Sequence, residues 1–409
     1  MAAKKKEREH ALLSASSAKK WLNCTPSARL EDSLPDSSSD SAREGTVAHD
    51  LCELKLRKLF IEPAMSERTY KTRHNKIKKE ELYDPEMERH TDTYVEYIQL
   101  LAYGYQSTPY IVIEKRVDYG IYAPEGFGRA DCIIIYGNTL HVIDFKYGKG
   151  VPVYAEKNPQ MSLYALGALY AYDMIYQIEN VIMTIVQPRL DNISEWKTSA
   201  DTLRQWGNDV VKPKAELAFN GEGEYCQGPW CDDCFCRAAA TCSHRAKENM
   251  SIEQDYLNPI TGGYDMPPTL SNDDVGKVLE RAQNLARWVK KLERHALESL
   301  IKGEDIPGWK IVEGRSNREF TSADEAYEAL IKAGYKRELL YDQKPIPLTE
   351  AEKQVSKEDY KTILSKYIIK PKGKPTLALE GDKRPAYETK PSVEEAFGGD
   401  NQYKEEKQG

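Results

Sequence analysis

Apolar residues along this chain follow two periods, and the switches between them mark out its elements. HALLSASSAKKWLN reads as helical up to Cys24, and the Ser/Asp-rich stretch at 33–45 reads as a loop. A helix is expected next, opened by Thr46 as N-cap, with Val47, Leu51 and Leu54 on one stripe and His49, Cys52, Glu53 and Leu56 on another side. Two further helical segments are expected around 80–103. The pattern then turns β-rich in YIVIEKRVDYGIY and GRADCIIIYGNTLHVIDFKYG. After these, NPQMSLYALGALYAYD is helical, VIMTIVQPR is strand-like, and a helix near 200–218 precedes a run of cysteines. From Ser271 to Lys302 apolar residues recur at helical spacing until Gly303 stops them. A small α/β region at 305–375 should follow, with a strand at Trp309–Glu313 and a helix near Ser322 boxed by Glu325. Residues 376–409, rich in Lys, Glu, Gly and Pro, read as a disordered tail.

Composition narrows the function. At 409 residues, 40% hydrophobic and 30% charged, the chain can bury a sizeable core. It has no apolar run of membrane-spanning length, and MAAKKKEREHALLS has no apolar segment behind its basic residues, so the expected place is the cytoplasm, away from membranes. The net charge of −7 makes a DNA-coating role unsuitable; any nucleic acid would have to meet a local basic patch. The richest basic stretch is Arg68–Lys79, with Lys71, Arg73, Lys76, Lys78 and Lys79, which suits DNA contact and a solvated face equally. No phosphate-binding GxxxxGK[ST] loop is present, which argues against an ATP-driven motor within this chain.

The segment richest in chemistry is the hairpin. Gly137-Asn138 joins two β-branched runs as a two-residue turn. Counting outward from that turn places Asp131 across from Asp144, with Cβ atoms about 4.5–5.5 Å apart. Lys146 lies two residues on and shares the face of Asp144. Two facing carboxylates repel unless something positive sits between them, and Mg²⁺ or Mn²⁺ asks for such hard oxygen ligands. The bland alternative is a solvent-facing strand pair with a Lys–Asp salt bridge.

These residues resemble the PD-(D/E)xK nuclease superfamily, with Asp131 ending GRAD and Asp144-Phe145-Lys146 as the second element. Two more elements are similar to its RecB-like branch: His49 in GTVAH, and Gln160 with Tyr164 in PQMSLYALG, spaced i and i+4 on one helical face. The order His, Asp, Asp-x-Lys, Gln-x-x-x-Tyr falls within about 115 residues. SSAKKWLNCTPSARLE, GTVAHDL, GFGRAD, EGRSNREFT and GKPTLALEGDKRPA look like a phage- and prophage-encoded RecB-like family first described without a function. The resemblance implies an α/β restriction-endonuclease-like core, a mixed central sheet flanked by helices, with helical and small α/β C-terminal additions. It implies a metal-dependent DNA nuclease, by preference an exonuclease, in phage or prophage recombination or replication. His49, Asp131, Asp144 and the carbonyl of Phe145 would hold Mg²⁺ or Mn²⁺, Lys146 would support the attacking water, and Gln160 and Tyr164 would organise the site. Glu114 could stand at its edge. The partners implied are DNA ends or single strands, and a single-strand annealing protein or helicase. The rivals are a non-catalytic DNA-binding scaffold and a nuclease subunit active only beside a partner.

Eight cysteines are present, five of them between Cys226 and Cys242, a crowding that points to metal ligation. Several RecB-like nucleases, among them the AddB subunit and CRISPR-associated relatives, carry a 4Fe–4S cluster on one early and three late cysteines. By that resemblance Cys24, Cys236 and Cys242 are ligands, and Asp233 stands where the pattern wants a cysteine. Cys234 is preferred over Cys231 for that ligand. The rival is zinc, taking four ligands from Cys226, Cys231, Cys234, Cys236, Cys242 and His244. Cys52 and Cys132 read as small core residues. The expected organisation is a nuclease domain at 1–250, the long helix region at 251–304, the small α/β region at 305–375 and the tail at 376–409.

Overall fold

The period-two runs build a five-stranded mixed sheet in the order β1-β2-β3-β4-β5: β1 (Tyr110–Asp118), β2 (Phe127–Tyr136), β3 (Thr139–Phe145), β4 (Asn180–Gln187) and β5 (Asn192–Ser199). All neighbours are antiparallel except β3 and β4, which run parallel. The parallel pair needs a crossover, and the apolar helix of residues 159–176 supplies it. This computed structural model describes residues 11–35, 40–251 and 271–312, together with Glu328, Ile331 and Lys332. The chain divides into two units, Met1–Glu313 and Gly314–Gly409. All but three of the described residues belong to the first; the tail and nearly all of the helix expected near Ser322 lie outside them.

The helices are α1 (Ala18–Trp21), α2 (Ser27–Asp32), α3 (Asp40–Leu56), α4 (Glu67–Ile77), α5 (Glu86–Gly104), α6 (Pro159–Tyr176), α7 (Ala200–Trp206), α8 (Lys212–Asn220), α9 (Trp230–Asp233), α10 (Ser243–Met250) and α11 (Asn272–Ile301). They cover the sheet on both faces. On one side Ile133, Ile135, Leu140, Val142 and Met183 pack with Met161, Leu163, Leu166 and Leu169 of α6 and with Trp21. On the other, Cys132, Ile134, Ile143 and Phe145 pack with Ala48, Leu51 and Cys52 of α3 and with Met87, Tyr94 and Ile98 of α5. β3 is buried from Leu140 to Phe145, as a strand covered on both faces must be. Cys52 and Cys132 are core residues, as their apolar neighbours indicate.

Four features depart from the sequence pattern. β5 was not expected; its NISEWKTS alternates half-buried and exposed positions as an edge strand with one solvated face, so no apolar run announces it. Helix α3 begins at Asp40, six residues before Thr46, whose hydroxyl donates to the carbonyl of Ala42 inside the helix rather than capping it. The segments expected around 80–103 are α4 and α5, so the basic stretch is itself a helix that ends before residue 80. Trp309–Val312 are exposed and not a strand. The long helix agrees with expectation: Ser271 accepts the amide of Asp274 as N-cap, and Gly303 follows its end at φ 86°. Among the described residues no helix is long and apolar enough to cross a membrane.

The helix that carries His49 is moored by charge. Lys55 of α3, buried, pairs with Glu88 at 2.9 Å and Asp92 at 2.8 Å of α5. Glu88 also receives the Tyr83 hydroxyl at 2.9 Å and faces the His74 ring of α4 at 2.7 Å. Burial opposes its charge, but Lys55, Tyr83 and His74 outweigh that and lower its pKa to about 2. A depressed carboxylate contributes stability that is complete above the ordinary carboxylate range and lost as pH falls towards 2. Denaturant unfolding between pH 5 and 2.5 should therefore show the wild type losing about 1–2 kcal/mol more than Lys55→Met, after allowing for solvent screening. Parallel pH profiles would remove Glu88 as the anchor.

Candidate metal centre

The hairpin register runs from Tyr136↔Thr139 to Cys132↔Ile143, as counting from the turn requires, and Gly137 takes φ 57° to make that turn. Asp131 and Asp144 come next, one step past the last paired residues. There the Asp131 side chain replaces the backbone ladder: its Oδ2 accepts the amide of Phe145 at 2.7 Å. On the other side of β2, Ile113 pairs with Cys132 and Lys115 with Ala130, so Glu114 stands level with Asp131. Glu114 has φ 50°, a left-handed backbone that a side-chain-bearing residue adopts at a cost of order 1–3 kcal/mol. The sheet's alternation also breaks here. Ala130 packs under α6, whereas Cys132, two residues later, packs under α3 and α5. The distortion falls where three carboxyl groups meet.

The two helical layers contribute from opposite sides. From α3, His49 brings Nδ1 to 3.5 Å from Asp131 Oδ1, its ring held edge-on against Phe145. One ligand atom each from His49, Glu114 and Asp131 lies within 4.8 Å of the others. From α6, Gln160 accepts Lys146 Nζ at 3.1 Å through Oε1 and donates to the Tyr164 hydroxyl at 3.1 Å through Nε2. Asn158 caps this helix by accepting the amides of Gln160 and Met161, and Pro159 fills the first turn, which sets the position of Gln160. Tyr164 lies so close to β2 that a Cβ at Gly128 would come within 2.5 Å of its ring. The glycine that opens GRAD, within β2, is therefore a packing requirement.

Lys146 Nζ stands 3.0 Å from the buried Asp144 Oδ2 as an ion pair. The electrostatics follow from burial of like charges. Burial favours neutral Asp131, but the charges of His49 and Lys146 and the Phe145 amide hold its pKa below the ordinary value. Asp144 is raised by burial and by Asp131 against the pull of Lys146. Glu114 is raised to about 8 by burial and then by Asp131. His49 is raised to about 9, because Asp131 and Asp144 overcome the desolvation that would lower it. Lys146, too, is raised by the two aspartates despite its burial. The donor set, one imidazole and converging carboxylates, suits a small divalent cation.

The cysteines form a second cluster, far along the chain from the first. Cys24, Cys226, Cys231, Cys236, Cys242 and His244 line one cavity, and Cys24 Sγ accepts the amide of Cys226 at 3.5 Å. Cys234 is not among its lining residues; its carbonyl accepts Lys20, and its thiol sits among Lys19, Lys20, Asp233 and Glu31. Cys231, one helical turn earlier in α9, does line it. Burial raises the pKa of Cys24, Cys231 and Cys236, the last to about 12. The segment is tied to the N-terminus by Lys20–Glu31 at 2.6 Å, with Glu31 accepting the Arg237 amide at 2.7 Å, and by Lys19–Asp233 at 2.8 Å.

Sequence reasoning underweighted Glu114. Its signal is the register of β1 against β2, which cannot be counted from the sequence because a loop, not a two-residue turn, joins them. Two comparisons bear on the chain as a whole. The profile of a family described as "Protein of unknown function (DUF2800)" matches residues 10–385. A solved protein described as "Crystal structure of SSO0001" has 15% identity, with 55% of this chain and 93% of that chain covered, and a TM-score of 0.23, too distant to inform fold or function.

Gly128→Ala should force the Tyr164 ring away from Gln160 and cost about 1–3 kcal/mol in urea unfolding. An unchanged midpoint would mean that the ring has room to spare.

Proposed function

The chain belongs to DUF2800, a family of proteins of unknown function, and from the chemistry of the site we propose that it is a divalent-metal-dependent deoxyribonuclease. The observation that carries this reading is the convergence of one ligand atom each from His49, Glu114 and Asp131 within 4.8 Å, with the buried Asp144 of the neighbouring strand and its ion-pair partner Lys146. His49, Glu114, Asp131 and Asp144 are the residues that would hold Mg²⁺ or Mn²⁺. When bound, the cation supplies Lewis acidity towards a phosphodiester. Lys146 is held between an aspartate and a neutral glutamine at this centre; its ammonium can donate to the attacking water or to the charge that develops on phosphorus oxygens. Gln160 and Tyr164 are positioning residues, acting through Lys146. The natural substrate on this reading is a DNA end or single strand, with exonucleolytic action in phage recombination or replication.

The cysteine cavity fits a thiolate-bound group. On this reading the group is an iron–sulfur cluster held by Cys24, Cys231, Cys236 and Cys242, with zinc as the alternative.

End-labelled single- and double-stranded DNA incubated with Mn²⁺ or Mg²⁺ tests the activity. Degradation that needs the metal and falls at least 100-fold in Lys146→Ala supports the nuclease; DNA left intact by wild type yet bound by it sinks the catalytic claim in favour of a scaffold. Anaerobic purification tests the cluster separately: Cys231→Ser should lose iron and the visible absorbance near 400 nm expected of such clusters, while Cys234→Ser keeps both. Zinc in place of iron, or the opposite ranking, would overturn the assignment.

A further inference from the structure

Helix α4 is divided cleanly along its length. Tyr70, His74 and Ile77 face inward: Tyr70 stacks on His74, His74 meets Glu88 of α5, and Ile77 packs on the core beneath α3. Arg68, Lys71, Thr72, Asn75 and Lys76 fall on the opposite side, because helical spacing returns positions 68, 71/72 and 75/76 to one face, and Lys79 follows in the turn just beyond the helix end. Between Arg68 and Lys79 there is no acidic residue. Arg73 is paired with Glu62, and Lys78 lies 3.6 Å from Glu88. Arg68, Lys71, Lys76 and Lys79 are exposed and have no ion-pair partner among the described residues.

We propose that this outward face of α4 is a track for the phosphodiester backbone of a DNA strand on its way to the metal centre. The inference rests on the nuclease reading above and names where its substrate lies. Arg68, Lys71 and Lys76 span about 12 Å of helix, with Lys79 just beyond its end, a reach of roughly two to three phosphates of a single strand. They stand out from a chain whose net charge is −7, so the attraction is local and directional rather than a property of the whole surface. The stripe adjoins the site: α4 packs against α3, and Lys76 acts on the charge of Asp50, the neighbour of His49. Asn75, between the cations, adds a neutral amide that can donate to phosphate oxygens.

The test is fluorescence anisotropy with a labelled single-stranded 20-mer across a salt series, without divalent metal and in a Lys146→Ala background so that cleavage plays no part. Full-length protein carrying Lys71→Glu, Lys76→Glu and Lys79→Glu is compared with its parent, and a glutamine triple variant is run in case charge reversal disturbs the fold. Affinity should fall about 10- to 100-fold, and the slope of log K against log salt should shrink by about 2, since each lost contact to a single strand removes about 0.7. Equal affinity and slope in parent and variants, or no binding by the parent, overturns the track. So does binding of the parent to phosphatidylserine vesicles that the variants lose while their DNA binding persists. Failure of the nuclease reading is seen elsewhere, as wild type that binds DNA through this face and never cuts it with metal.

Discussion

Three carboxyl groups line up across neighbouring strands, Glu114 and Asp131 midway along β1 and β2 and Asp144 near the end of β3, and their mutual repulsion is the condition the surrounding structure has to meet. Asp131 and Asp144 are buried, and Glu114 is nearly so. Like charges taken out of water raise one another's pKa unless cations and hydrogen bonds compensate. The compensation comes from both layers at once: an imidazole from α3, an ammonium from the end of β3 held by α6, and one backbone amide. The sheet itself yields at this place, with Glu114 in a left-handed conformation and the inward–outward alternation of β2 broken beside Asp131. Strain and charge coincide, which is what a site organised for a ligand looks like and what a purely structural strand pair has no reason to retain.

Much of this was legible because it depends on local rules. A two-residue turn fixes the register of everything beyond it, so the opposition of Asp131 and Asp144 follows from the position of Gly137 alone. Helical spacing likewise puts Gln160 and Tyr164 on one face, and Ser271 marks the start of a helix by its side chain. Thr46 misled for an instructive reason: the same hydroxyl that caps a helix can bond back to the fourth preceding carbonyl within one. β5 was missed because a strand with one wet face and few large apolar residues carries little signal until it is seen beside β4.

Other features depend on contacts between distant parts of the chain, and no local rule reaches them. Glu114 belongs to the site only because β1 pairs with β2 across a loop whose length does not dictate register. The choice between Cys231 and Cys234 turns on which thiol the docking of α9 points at Cys24. Lys20 donates to the Cys234 carbonyl, and Cys231, not Cys234, is on the cavity wall. Spacing in the sequence alone could not separate two cysteines three residues apart.

The stitching of the N-terminus to the cysteine segment has a consequence for how the chain is made. Lys19 and Lys20 find Asp233 and the Cys234 carbonyl 214 residues later, and Arg29 and Thr25 find theirs 190 and 197 residues later. On a growing chain the first helices therefore emerge long before their partners exist, and contacts of such separation close slowly. The hairpin with its two aspartates can form while they wait. The order of assembly is thus written into the fold: the strands that carry the aspartates come early, and a chain halted before residue 230 leaves Lys19 and Lys20 without Asp233 and the Cys234 carbonyl.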